Sequence, residues 1–129
     1  MQFQEFLDQV LPDKASQATL QFFVGKDIPG STIKFCGDRA TGKSTMYWII
    51  TKVFPQFNNR IDHIGECKGL ENALYFTNII PTNEMICWLD KKIVLNDADA
   101  IKSWAKVGAD MTSGELSEIV LNSIIGDSK

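Results

Sequence analysis

Gly37-Asp38-Arg39-Ala40-Thr41-Gly42-Lys43-Ser44 is the stretch on which the reading of this sequence turns. It fits G-x-x-x-x-G-K-[ST] without a mismatch, the pattern of a loop that wraps a chain of phosphates. Backbone N–H groups must converge on phosphate oxygens in such a loop. Gly37 and Gly42 permit the conformations and the close approach that this requires. Lys43 supplies a flexible point charge for the β- and γ-phosphates, Ser44 a hydroxyl for Mg²⁺, and Thr45 a hydroxyl near the α-phosphate. The N-terminus of the following helix adds its dipole. Residues 37–45, with Asp38, Arg39, Ala40 and Thr41 shaping the turn, are therefore expected to bind a nucleoside triphosphate, ATP with magnesium. A chance match is the competing explanation, and the flanking sequence argues against it.

Residues 31–36 (Ser-Thr-Ile-Lys-Phe-Cys) are rich in strand formers and run directly into Gly37. On the other side, residues 43–54 read as a helix with Met46, Ile49, Ile50 and Val53 on its apolar side, ended by Pro55. A phosphate loop needs this strand–loop–helix setting. Further upstream, Phe3, Phe6, Leu7, Val10 and Leu11 trace one face of a short helix that Pro12 ends. Asp13 is placed to cap a second helix, with Ala15, Ala18, Phe22 and Phe23 on one face and Gly25 and Ile28-Pro29-Gly30 stopping it. Residues 1–24 thus form a helical pair, and residues 25–129 the domain on which it leans.

Downstream, Asn58-Asn59 marks a turn, and residues 61–64 and 73–80 look like strands. Residues 85–89 and 92–95 are short apolar runs, at least one of which should be a buried parallel strand. Residues 98–107 read as a helix. Thr112-Ser113-Gly114-Glu115 has capping-box spacing ahead of a last amphipathic helix carrying Leu116, Ile119, Val120 and Ile124 and ending at Gly126. The expected fold is three-layer α/β, a mainly parallel sheet with helices on both faces, preceded by the helical pair.

Composition bounds the function. The chain has 129 residues, 44% of them hydrophobic and 22% charged, enough for one domain with a respectable core. A net charge of −3 excludes nucleic-acid binding through overall basicity, though not through a local patch or an assembled ring. No apolar run reaches the roughly 18–20 residues of a membrane span, and no secretory signal is visible, so an intracellular setting without a membrane partner is expected. Cys36, Cys67 and Cys87 are odd in number and widely spaced, which predicts reduced thiols and no zinc site.

A phosphate loop that hydrolyses its nucleotide needs a carboxylate at the end of a neighbouring strand. Met85-Ile86-Cys87-Trp88-Leu89-Asp90 and Lys92-Ile93-Val94-Leu95-Asn96-Asp97 each place an Asp after an apolar run. At this point the sequence resembles the superfamily 3 helicases of small DNA viruses and plasmids, of the papillomavirus and parvovirus replication-protein type. The residues that carry the likeness are 37–44, Trp88-Leu89, and the run Lys92-Ile93-Val94-Leu95-Asn96-Asp97-Ala98-Asp99. Such proteins are AAA+ ATPases that assemble into rings and move along DNA. The resemblance implies that Lys43 and Ser44 handle phosphate and magnesium, that Asp97 is the second metal-site acid, and that Asp99 stands nearest to the family's second acid. It also implies a homo-oligomeric ring on single- or double-stranded DNA, in the host nucleus or cytoplasm of a virus-infected cell. Ala98 departs from the family's paired acids, and the family's polar sensor, DNA-binding hairpin and arginine finger have no counterpart among these residues. Against a magnesium role, Asp97 and Asp99 also suit the solvated start of a helix.

Other residues carry less. His63, the sole histidine, lacks a second ligand at metal spacing and reads as a surface or core residue. Trp48, Trp88 and Trp104 read as core. Arg39 could reach a γ-phosphate or a neighbouring subunit, and Arg60 is a candidate arginine finger only by its charge. Lys91-Lys92 reads as a solvated strand edge. Two alternatives to a motor stand beside it: a small-molecule phosphotransferase, which two arginines argue against, and a non-catalytic module that binds nucleotide to organise a complex.

Overall fold

The computed structural model describes residues 2–39, 41–66, 68–77 and 93–127. In chain order these form α1 (Phe3–Val10), α2 (Lys14–Lys26), β1 (Ile33–Cys36), α3 (Lys43–Val53), a 3₁₀ turn (Pro55–Phe57), β2 (Ile61–Ile64), β3 (Ala73–Tyr75), α4 (Ile93–Asp110) and α5 (Ser113–Asp127). The architecture is α/β, and the described strands make one small parallel sheet in the order β2-β1-β3. Ile33 pairs with Ile61 and Phe35 with His63 on one side of β1. On the other, Lys34 pairs with Ala73 and Cys36 with Tyr75. With a partner on each edge, β1 spends its polar backbone on neighbours, so Ile33, Phe35 and Cys36 can be buried as an apolar run.

The helical pair forms as the apolar spacing predicts. Phe3, Phe6, Leu7, Val10 and Leu11 are all buried, and each fully buried large side chain contributes about 1.5–3 kcal/mol. An eight-residue helix is marginal alone, so α1 exists because α4 covers it. Phe3 stacks edge-on against Trp104, with ring centroids 5.2 Å apart, and Gln21 of α2 donates to the Trp104 carbonyl at 2.7 Å. Asp13 caps α2, accepting from the Ser16 amide at 3.1 Å and the Ser16 hydroxyl at 2.8 Å. It also receives the Ser123 hydroxyl at 3.0 Å, tying α5 to the start of α2.

Several expectations are corrected. Gly25 does not stop α2, which continues to Lys26 and closes on Asp27 in the left-handed conformation. The reason is space: a methyl group at Gly25 would overlap the Ala105 carbonyl and the Ala109 amide of α4, and one at Gly108 would overlap the Gln21 carbonyl. The two helices therefore cross at backbone contact. The buried face of α2 is Gln17, Ala18, Leu20, Phe23 and Val24, with Ala15 and Phe22 only half-buried, because the helix is flanked by both α4 and α5. Residues 93–95 are not a strand but the first turn of α4, five residues ahead of the expected start at Ala98. The apolar run 85–89 and the end of the expected strand 73–80 lie outside the described residues.

Trp48 is 37% exposed on α3 rather than in the core, whereas Trp104 packs on the core as expected. Cys36 stands in a disulfide, against the expectation of free thiols; its partner lies outside the described residues. The last helix shows the expected reciprocal box. The Glu115 amide donates to the Thr112 hydroxyl at 3.1 Å, and the Thr112 amide to the Glu115 carboxylate at 3.0 Å. Its Ile124 is nonetheless 62% exposed, and Leu116, Ile119 and Val120 are half-buried.

Replacing a helical glycine by alanine ordinarily stabilises by about 1 kcal/mol. Gly25→Ala is expected to do the reverse and destabilise by about 1–3 kcal/mol through overpacking, read as a lower urea midpoint. Asp13→Ala should cost about 1 kcal/mol at pH 7. Burial pushes the Asp13 carboxyl up, but hydrogen bonds from Ser16 and Ser123 outweigh it and the net value lies below the usual carboxylate range. A depressed folded-state value means stability that is present near neutral pH and lost as pH falls through that value. Wild type and Asp13→Ala should therefore converge in urea midpoint below about pH 4.

Candidate phosphate-binding site

Strand β1 ends where the loop begins, and backbone pairing carries on past the strand. The Gly37 amide donates to the Gly65 carbonyl at 3.3 Å, and the Phe76 amide to the Cys36 carbonyl at 2.7 Å. The loop thus hangs from both neighbouring segments. Gly37 has φ +138°, and a Cβ there would overlap the Phe76 carbonyl. Gly42, at φ +96°, turns the chain in the left-handed region and leads into α3, whose first backbone bond runs from the Met46 amide to the Gly42 carbonyl at 2.9 Å. Thr41 is buried, with its hydroxyl donating to the Asp38 carbonyl at 2.7 Å, a bond that closes the loop on itself.

A cavity of about 330 Å³ opens above this turn. Arg39, Thr41, Gly42, Lys43, Ser44 and Thr45 line it from the loop and α3, and His63, Ile64 and Gly65 from the carboxyl end of β2. Helix geometry leaves the amides of Lys43, Ser44 and Thr45 without intrahelical acceptors, so the donors at this mouth are backbone N–H groups, the Ser44 and Thr45 hydroxyls, the Lys43 ammonium, the Arg39 guanidinium and the His63 imidazole. The Lys43 ammonium donates to the Gly37 carbonyl and lies 3.5 Å from that of Ile64. Such a set of donors fits a chain of phosphates, and the Ser44 hydroxyl, on an exposed residue, fits a hard cation held beside it.

The expected loop residues Gly37, Asp38, Arg39, Thr41, Gly42, Lys43, Ser44 and Thr45 are brought together; Ala40 lies outside the described residues. Asp38 and Arg39 are exposed. The acids are elsewhere. Asp97 sits in the second turn of α4 and accepts the Phe3 amide at 3.2 Å, so it ends no strand and serves the start of α1. Asp99 is exposed on the same helix. None of the described residues that line the cavity is acidic, and no group of three or more His, Cys, Asp or Glu among the described residues could hold a metal. Of the two residues expected to hold magnesium, Ser44 lines the cavity and Asp97 is not among its described lining residues. Asp90, the other candidate, lies outside the described residues.

Arg60 is consumed internally. Its guanidinium donates to Asp27, to the Ser31 carbonyl at 2.9 Å, to the Ile28 carbonyl at 2.7 Å and to the Ser31 hydroxyl at 2.7 Å, and lies 4.7 Å above the Phe57 ring. A side chain so committed is a structural clamp and not a free finger.

The residue that the sequence reading passed over is His63. Its ring lies parallel to Phe35 at 6.2 Å and meets Tyr47 edge-on at 4.7 Å. Tyr47 is itself held by the Asn58 carbonyl at 2.8 Å. Half of the signal was in the sequence, since residues 61–64 read as a strand and ligands of parallel sheets gather at carboxyl ends, but the pairing of that strand with β1 comes only from the structure. Comparison with protein-family models, with curated proteins and with solved structures found no match to the chain. No helix among the described residues is long and apolar enough to cross a membrane.

Burial and the Lys43 charge hold the His63 imidazole below the usual histidine value, with Asp62 opposing them. An NMR titration should place its midpoint below about 6.5, and Lys43→Ala should raise it. With the folded value depressed, protonation favours the unfolded chain. His63 should cost stability as pH falls from about 6.5 through its folded midpoint, and His63→Gln should lose that part of the pH dependence.

Proposed function

We propose that this chain is a phosphate-loop nucleotide-binding protein that takes ATP with magnesium in the cavity over residues 37–45, within a three-layer α/β core. The observation that carries the reading is the donor set at one mouth: Lys43, the Ser44 and Thr45 hydroxyls and the first amides of α3, on a loop hung from the end of a buried parallel strand. Catalysis at such a site is positioning with electrostatic stabilisation. The backbone N–H groups orient the triphosphate, and Lys43 leaves the Gly37 and Ile64 carbonyls to meet the β- and γ-phosphate oxygens. Ser44 would hold the magnesium ion, which when bound would supply further neutralisation of phosphate charge.

The resemblance to superfamily 3 helicases supports ATP hydrolysis by a homo-oligomeric ring on DNA as the wider role. A second reading, a module that binds nucleotide without turnover, is favoured by the lack of a carboxylate among the described residues lining the cavity.

Magnesium-dependent ATP binding and hydrolysis, with and without single-stranded DNA, test both. The motor reading expects turnover stimulated by DNA and lowered about 100-fold or more in Lys43→Ala, the scale on which a transition-state charge partner acts. Binding without turnover at high protein concentration would establish the module. Failure of the wild-type chain to bind ATP at all would sink the phosphate-loop assignment itself.

A further inference from the structure

We propose that His63 grips the terminal phosphate of the bound nucleotide and makes the site selective for a triphosphate over a diphosphate. The proposal rests on the phosphate-loop reading and adds a specificity residue from outside the loop. Position is the first argument. His63 lines the same cavity as Lys43 and Ser44, and it does so from β2, the strand paired with β1. The Lys43 ammonium lies 3.5 Å from the carbonyl of Ile64, the very next residue. The imidazole is therefore on the side of the loop where the ammonium stands. In this loop pattern that side receives the β- and γ-phosphates, whereas Thr45 lies toward the α-phosphate.

Preorganisation is the second argument. Phe35 lies parallel to the imidazole, with 2° between the ring planes, and Tyr47 meets it at 83°. The edge-on Tyr47 contact at 4.7 Å limits how the imidazole of this otherwise exposed residue can turn, and the Asn58 carbonyl holds Tyr47 in turn. A side chain with such a contact loses less freedom on binding than a free one, so more of its hydrogen bond appears as affinity. Chemistry is the third. Imidazole carries an N–H donor even when neutral, which suits a phosphate oxygen at neutral pH. The charged groups that bear on it are Lys43 from α3 and Asp62 from its own strand; Asp62 does not line the cavity, and no described lining residue is acidic. An incoming phosphate thus meets His63 with no carboxylate among those residues to repel it.

A diphosphate seated on the loop fills the positions served by the α3 amides and leaves the far end of the cavity empty. Only a third phosphate reaches β2. The test is calorimetric titration of the 129-residue chain and of His63→Ala, His63→Gln and Lys43→Ala with ATP and with ADP, magnesium present throughout. His63→Ala should weaken ATP about tenfold, equivalent to about 1.4 kcal/mol, and leave ADP within about twofold. His63→Gln, which keeps an N–H donor, should recover part of the loss. Lys43→Ala should weaken both nucleotides. Equal losses for ATP and ADP in His63→Ala, or no loss for either, would overturn the role of His63 while leaving the phosphate loop standing. If wild type binds neither nucleotide, the underlying reading falls first, and the role of His63 with it. Thermal melting of each variant, with a midpoint near that of wild type, separates a lost contact from a lost fold.

Discussion

The structure depends on β1 having a parallel partner on each edge. A four-residue strand is short, and it is stable here because backbone pairing continues beyond its end, from Gly37 to Gly65 and from Phe76 to Cys36. Those two bonds fix where the loop leaves the sheet. They also bring the carboxyl end of β2 level with the start of α3, so that a loop drawn from one segment of sequence shares its cavity with residues some twenty positions further on. Burial follows from the same pairing. With its backbone satisfied, β1 can bury Ile33 and Phe35 on one face of the sheet and Cys36 on the other.

Arg60 plays the matching part at the other end of the sheet. It follows the Asn58-Asn59 turn and reaches back to the turn between α2 and β1, where the Asp27 carboxylate, two carbonyls and the Ser31 hydroxyl accept its donors. Its flat face rests on Phe57, itself fully buried. The guanidinium, with its fixed fork of donors, can serve several acceptors of one turn at once. The helical pair is thereby joined to the sheet by a polar bond network as well as by apolar packing.

Local signals were legible, and those that depend on a partner were not. The glycine-bounded loop at 37–45, the Asp13 cap and the Thr112–Glu115 box are each set by residues within a few positions of one another, and each can be seen in the sequence. Gly25 misled because a glycine that stops a helix and a glycine that admits another helix look alike in one dimension. Gln17 shows the same limit at a position the apolar pattern does not mark. A polar residue ordinarily marks the outer face, yet this one is buried, its amide donating to the Leu11 carbonyl at 2.9 Å and to Asp8 at 3.0 Å. The run at 92–95 had strand composition, and residues 93–95 are helical in the structure. For the site, loop and lysine could be read directly, but the place of His63 depends on which strand lies beside β1, and no periodicity encodes strand order.

The crossing of α2 and α4 has a consequence for descent. Most core positions can be exchanged among apolar residues of similar volume, so a lineage can replace nearly all of the packing pattern and keep the fold. Gly25 and Gly108 admit no such drift, because each touches the opposite backbone and no rotamer change nearby can open room for a side chain. A distant relative would accordingly betray itself less by its apolar pattern than by a sparse signature. That signature is one glycine about a dozen residues ahead of the loop at 37–45 and a second about sixty residues behind it, each inside a helix.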